Sequence, residues 1–299
     1  MRTTWPAGRR FRGTPPPTLL AGLRTLHTRR VSFDPYAPYG PLVESTIRVV
    51  TWNVWGRYGA DCEARQVALE ETLAETAPDL ICLVEAWGQD DSTQPGRIAA
   101  RLGLAYHQFV GDWRQEDWVP GIGFVSRWPM TEPLRRSLRS ADGAGSGQAV
   151  HVAVAGERGS IHLFAVMLDY PLDASGRRQD QVRQLVQFIA GTASRRDLVV
   201  VCGDFNAGPD SDELRMLTGR SAPAAPGMVF YDAWEVAGDG SPGFTWSNRN
   251  PLAAASTLTG GSTTSSRHGR DAGVPDIRHV ARCSASGRRV SSRFLTTTG

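Results

Sequence analysis

The sequence predicts an α+β fold in which β-sheets pack on one another with helices against them. Two observations carry that prediction. Apolar runs of strand length alternate with amphipathic helical stretches, and a Gly/Ser-rich hairpin region interrupts the series at Ala141–Gly147. Three of the apolar runs also lead into a side chain bearing a polar oxygen: Asn53, Glu85 and Asp204. With 299 residues and 40% hydrophobic composition, the chain is long enough for one large domain or two, and apolar enough for a core.

Taken in order, the first strand is Ile47–Asn53, a β-branched run ending in Asn. Ala64–Thr76 reads as a helix, with Val67, Leu69 and Leu73 among glutamates, and Pro78 ends it. Leu80–Glu85 is a buried strand, Gly96–Leu102 a short helix and Ala105–Val110 a strand. Gly121–Ser126, Val150–Val154 and Ser160–Leu168 are further strands. Ser175–Thr192 carries Val182, Leu185, Val186 and Ile189 at helical spacing. Leu198–Gly203 is the strand before Asp204, and Asp210–Leu217 a short helix.

The string Gly203-Asp204-Phe205-Asn206 sets a carboxylate and a carboxamide two residues apart at a strand end, where both point to one face. Such a pair can orient a water and hold a phosphate. Taken alone it also reads as an Asx turn closing a strand. Glu85 and Asn53, at the ends of two other apolar strands, add a carboxylate and an amide. Carboxylates, an amide, water and phosphate together make a site for a hard cation such as Mg²⁺.

These residues resemble the endonuclease/exonuclease/phosphatase superfamily, the deoxyribonuclease I-like fold. The matching strings are Thr51-Trp52-Asn53, the Glu85 strand, Gly121 to Pro129, Gly203-Asp204-Phe205-Asn206 and Phe244-Thr245-Trp246, in family order from Ile47 to Ser256. The resemblance implies a two-sheet β-sandwich flanked by helices and hydrolysis of a phosphoester with Mg²⁺, Mn²⁺ being the alternative. It implies Glu85 and Asn53 as the metal residues. Asp204 would accept a proton from the attacking water or orient it, and Asn206 would donate to a phosphoryl oxygen. The family's Thr-His-Leu is replaced here by Val166-Met167-Leu168, so one phosphate donor is absent; Asp169 and Tyr170 stand near enough to contribute. Trp52, Trp55, Trp87 and Trp246 are candidates for the cleft wall or for packing, and Arg127 reads as a surface residue.

All 33 basic residues are Arg, and they are unevenly spread. Residues 1–45 and 257–299 each hold seven Arg and two acids, leaving 19 Arg against 26 acids in between. That balance disfavours a non-specific nuclease. Residues 1–45, with Pro15-Pro16-Pro17 and no period, read as a disordered extension or a wrongly assigned start, or else as an Arg-rich targeting arm. Cys62, Cys82, Cys202 and Cys283 show no metal spacing and no disulfide pattern. With no apolar run long enough to cross a membrane, a soluble, cytoplasmic monomer is the expectation. The substrate class, whether nucleic acid, inositol phosphate or phospholipid, is not legible, because loops such as Gly111–Pro120 carry no signature.

Residues 257–299 differ in kind: 27 of these 43 residues are Ser, Thr, Arg or Gly. They read as a disordered tail translated out of frame. Codons for Thr257 to Ser266, read from the third base of each, permit Pro-Asp-Arg-Arg-Ile-Asp-Tyr-Val-Leu, which resembles the family's late Arg-Ile-Asp-Tyr strand. In the same frame Phe294 to Gly299 permits Ser-Asp-His-Tyr-Gly, which resembles the family's final Ser-Asp-His. On this reading the domain of residues 46–256 is incomplete. It lacks its C-terminal strands and the Asp–His pair that the family sets against the scissile phosphate. His268 and His279 do not match that context. The alternative class is a catalytically impaired relative that at most binds metal or phosphate.

Overall fold

The computed structural model describes residues 47–112, 115, 117–140, 143, 145–157, 159–194, 197–237, 245 and the backbone of 280–282. The expectations for residues 1–45, for Trp246, and for His268 and His279 fall outside the described residues. Two mixed sheets carry the fold. The first has the order β1 (Val49–Asn53), β2 (Leu80–Gln89), β5 (Val119–Ser126), β4 (Tyr106–Gly111), with the two-residue β3 (Ser92–Thr93) beside β2. The second runs β10 (Tyr231–Asp232), β11 (Val280–Arg282), β9 (Leu198–Asp204), β8 (Gly159–Met167), β7 (Gly147–Gly156), β6 (Leu134–Leu138).

Each sheet contains one parallel pair, β1 with β2 and β8 with β9. Parallel neighbours need a long crossover, and helices supply it: α1 (Cys62–Thr76) in the first sheet and α3 (Ser175–Thr192) in the second. Strand alternation then sorts the apolar residues into three layers. Leu80 and Cys82 face Val200 and Cys202 between the sheets. Ile81 and Leu83 turn outward to α1 and α2 (Gln94–Leu102). Val199 and Val201 turn the other way, to α3 and α4 (Asp212–Thr218). Cys82 and Cys202 are buried free thiols and act as small apolar filler.

Four differences from the sequence reading have physical reasons. First, α2 begins at Gln94 rather than Gly96, because Thr93 Oγ1 accepts the Gly96 N–H at 3.2 Å and Pro95 occupies the first turn. Second, β6 has no apolar run, since Leu134 to Ser137 are exposed; register with β7 makes it a strand. Third, β2 does not stop at Glu85 but continues to Gln89. Fourth, the tail contributes a strand: Val280, Ala281 and Arg282 pair with Val201, Val200 and Val199. These three residues are an exception to the expected unstructured tail. Their backbone covers an edge of β9 that would otherwise present unpaired N–H and C=O groups.

No described helix is long and apolar enough to cross a membrane.

Candidate active site

The first and second sheets end in the same local device. At the end of β1 the Trp55 N–H donates to Asn53 Oδ1 at 3.0 Å, and Trp55 takes φ 53°. At the end of β9 the Asn206 N–H donates to Asp204 Oδ1 at 2.8 Å, and Asn206 takes φ 47°. Both are Asx turns, so Asp204 closes a strand and also presents its other oxygen. Gly203 makes this approach possible. It has φ 119°, and a Cβ there would run into the Val166 carbonyl oxygen of β8.

Glu85 reaches the same place by a different route. Between Leu83 and Ala86 the register of β2 against β5 shifts by one residue, and Glu85 takes φ 55°. Leu83 and Ala86 both pack on the helix side, so the bulge reverses the alternation. Without it, Glu85 would share the helix face with Ile81 and Leu83. With it, the carboxylate turns to the inter-sheet side. Left-handed conformations for non-glycine residues cost about 1–3 kcal/mol each and concentrate at functional sites. Three of the six described here are Trp55, Glu85 and Asn206.

Asn53 joins the parts. Its Nδ2 donates to Glu85 Oε1 at 2.9 Å and to Asp204 Oδ2 at 2.8 Å, while its Oδ1 accepts from Trp55. Asn206 Nδ2 donates to the Leu168 carbonyl at 2.8 Å, which ties the end of β8 to β9 and leaves one amide hydrogen over. Burial, opposed by the Asn53 hydrogen bond and reinforced by the Asp204 charge, pushes the Glu85 carboxyl up to about 7. Burial raises Asp204 as well, against the hydrogen bonds from Asn53 and Asn206. Two buried carboxylates held by one amide have a strong preference for positive charge.

That preference is the test of fit for a hard cation, and the donor set passes it. Among the described residues no group of three or more His, Cys, Asp or Glu could hold a metal. A Mg²⁺ site needs fewer: one or two carboxylates, with water and substrate phosphate completing six oxygens.

The remaining predicted residues separate. Asp169 is buried; its Oδ1 accepts the Ser146 N–H at 2.8 Å and its own N–H donates to Gln181 Oε1 at 3.0 Å. Tyr170 stands out at 71% exposure and lines a cleft of about 270 Å³ beside Glu85. Met167, in place of the family's phosphate donor, is in the same wall, as are Trp55 and Tyr58. Trp52 packs toward the helices, and Trp87 is buried under the Arg57 guanidinium at 4.7 Å. Arg127 pairs with Asp79 at 3.0 Å, near the start of β2. Asp112, in the cleft wall, was not singled out in the sequence; its carboxyl is raised by burial and held by Gln148 and Arg135. The signal for the bulge was a Glu inside an otherwise apolar run. The described histidines lie elsewhere, His107 beside Gly96 of α2, and His151 and His162 together in the second sheet.

The loop carrying Tyr170 is braced from below. Arg178 donates to the Asp169 carbonyl at 3.1 Å and the Pro171 carbonyl at 2.6 Å, and its Nε meets Glu213 Oε1 at 2.5 Å.

The fold is shared with solved structures. An endonuclease/exonuclease/phosphatase family protein from Leptotrichia buccalis C-1013-b aligns at a TM-score of 0.55 and 13% identity, over 79% of this chain and 87% of that one. TDP2 from D. rerio, complexed with single strand DNA product, aligns at 0.56 and 17% identity, over 82% and 86%. The human Nocturnin catalytic domain with bound sulfate anion aligns at 0.53 and 19%, over 67% and 77%. No curated protein matches the chain. The model of the Endonuclease/Exonuclease/phosphatase family matches residues 50–273, from the start of β1 to beyond Ser256, and the chain belongs to this family of phosphoester hydrolases.

Proposed function

We propose that residues 46–256 form a Mg²⁺-dependent phosphoester hydrolase centre, with Glu85, Asn53 and Asp204 at its heart. The observation that carries this reading is the single Asn53 amide shared by Glu85 and Asp204, residues from strands of different sheets. Glu85 would hold the cation, with Asn53 fixing its carboxylate through Nδ2 and adding at most the second lone pair of Oδ1; when bound, the cation supplies neutralisation of the phosphoryl oxygens. Asp204 orients the attacking water and takes its proton. Asn206 directs its remaining amide hydrogen at a phosphoryl oxygen, a fixed donor placed where charge develops. The bulge and the two Asx turns keep these groups in place before substrate arrives. A phosphodiesterase assay of a frame-repaired chain tests this: activity with Mg²⁺ that disappears in Glu85→Gln supports it, and activity unchanged by EDTA contradicts it.

A second reading applies to the 299 residues as written. The Arg-Ile-Asp-Tyr and Ser-Asp-His strings permitted in the shifted frame favour a tail read out of frame, and with it a chain that binds metal or phosphate but turns over poorly. The nucleotide sequence across Ser256–Leu258 tests it, one inserted or deleted base being the expected finding. A clean in-frame sequence contradicts it.

A further inference from the structure

Building on the phosphoesterase reading, we propose that the substrate carries one phosphoester next to an aromatic ring, and that this ring seats against Trp55, Tyr58 and Tyr170. Three properties of the cleft lead there. At about 270 Å³ it lies just below the roughly 300–1,000 Å³ usual for small-molecule sites, which is room for a ring-sized group.

The second property is charge. Among the described residues, the charged side chains of the wall are Glu85 and Asp112, with Arg135 pairing Asp112 from outside it. Beyond the cation that the phosphoesterase reading places at Glu85, a second phosphate would meet the Asp112–Arg135 pair and no free cation among the described wall residues. A wall of that kind gives a second phosphate no partner and so disfavours polyphosphorylated esters.

The third property is the preorganised aromatic wall. Trp55 and Tyr58 stand with centroids 6.4 Å apart, and Trp118 braces Tyr58 edge-on at 4.8 Å. The Arg65 guanidinium lies 5.0 Å over the Trp55 ring. Rings fixed in this way lose little rotamer freedom when a ligand arrives. Their faces favour offset or edge contact with another ring, and the Met167 thioether adds a soft contact that a flat π-system uses better than an alkyl chain. Tyr170 gives the cleft mouth an exposed aromatic on the loop that Arg178 clamps. A nucleobase and a simple aryl group share this chemistry.

The test is calorimetric titration of the full 299-residue chain in MgCl₂ with four probes: benzylphosphonate, adenosine 5′-monophosphate, butylphosphonate and propane-1,3-bisphosphonate. The ring-bearing probes should bind roughly 5- to 10-fold tighter than butylphosphonate, and the bisphosphonate no tighter than butylphosphonate. Trp55→Leu and Tyr58→Leu should each erase the preference, while Tyr58→Phe retains it. A preference for the nucleotide over benzylphosphonate identifies a nucleobase, and the reverse an aryl ester. Equal affinity for benzyl- and butylphosphonate in the unmodified chain overturns the inference and leaves the phosphoesterase reading standing. Failure of all four probes and of Mg²⁺ to bind overturns both.

Discussion

Asn53 and Asp204 are 151 positions apart, lie in different sheets, and are joined by a 2.8 Å hydrogen bond. Each also closes its own strand with an Asx turn. The end of the sandwich is therefore tied together through the side chains to which the proposed chemistry is assigned. Removing one of them disturbs both the geometry and the charge balance.

Mg²⁺ should stabilise the folded chain through this cluster. A cation that binds only the native state at a hundred times its Kd adds about 2.7 kcal/mol, which raises Tm by roughly 5–10 °C in a domain of this size. Thermal unfolding with and without MgCl₂ measures it. Glu85→Gln should remove the shift, and Asn53→Ala should weaken it by leaving the two carboxylates without their shared donor.

Arg178 should matter to stability beyond its distance from the site. It and Glu213 are almost wholly buried, and Ser175 Oγ donates to the second Glu213 oxygen at 2.7 Å. Arg178→Ala leaves a buried carboxylate without compensation, and breaking such a pair costs about 3–5 kcal/mol. Urea denaturation should show a loss of that order. Arg178→Ala with Glu213→Leu should lose less than Arg178→Ala alone.

A pH dependence should come from the second sheet. Burial, with a smaller contribution from the neighbouring His162 charge, lowers His151 to about 4, against an ordinary 6.5. The groups facing it are His162, with Nδ1 3.0 Å from His151 Nε2, and Phe164 and Phe188; Asp197 lies 3.5 Å beyond His162. Above pH 6.5 the ring is neutral in both folded and unfolded states. As pH falls from 6.5 to 4 the unfolded state takes up a proton that the folded state refuses, so stability is lost across that window. At 1.36 kcal/mol per pH unit the loss is at most about 3 kcal/mol. Chemical denaturation of His151→Phe across this range should show a flatter profile than the unmodified chain; an identical profile rules out His151 as its source.

Sequence periodicity made most of the fold legible because its strands and helices bury a regular face. Ser175–Thr192 coincides with α3, and Leu198–Gly203 falls one residue short of β9. β6 was not legible, because cross-strand pairing rather than burial of an apolar face defines it, and β11 is a three-residue strand known by its backbone pairing with β9. Asn53, Glu85, Asp204 and Asn206 were legible as residues. The device that aims Glu85 was not, since a bulge leaves no mark in an apolar run other than the charge itself. The roles within the cluster were hidden for a similar reason. Whether Asn53 spends its amide on carboxylates or its oxygen on a cation depends on distances between strands far apart in sequence.

The most direct test of the account is phosphodiesterase activity measured side by side for the 299-residue chain, a chain ending at Ser256 and a frame-repaired chain, each with Mg²⁺ and with EDTA. The account predicts turnover by the repaired chain in Mg²⁺ alone, and a rate lower by a factor on the order of 10²–10³ for the other two. Equal activity of the 299-residue and repaired chains, or full activity of the repaired chain in EDTA, would contradict it.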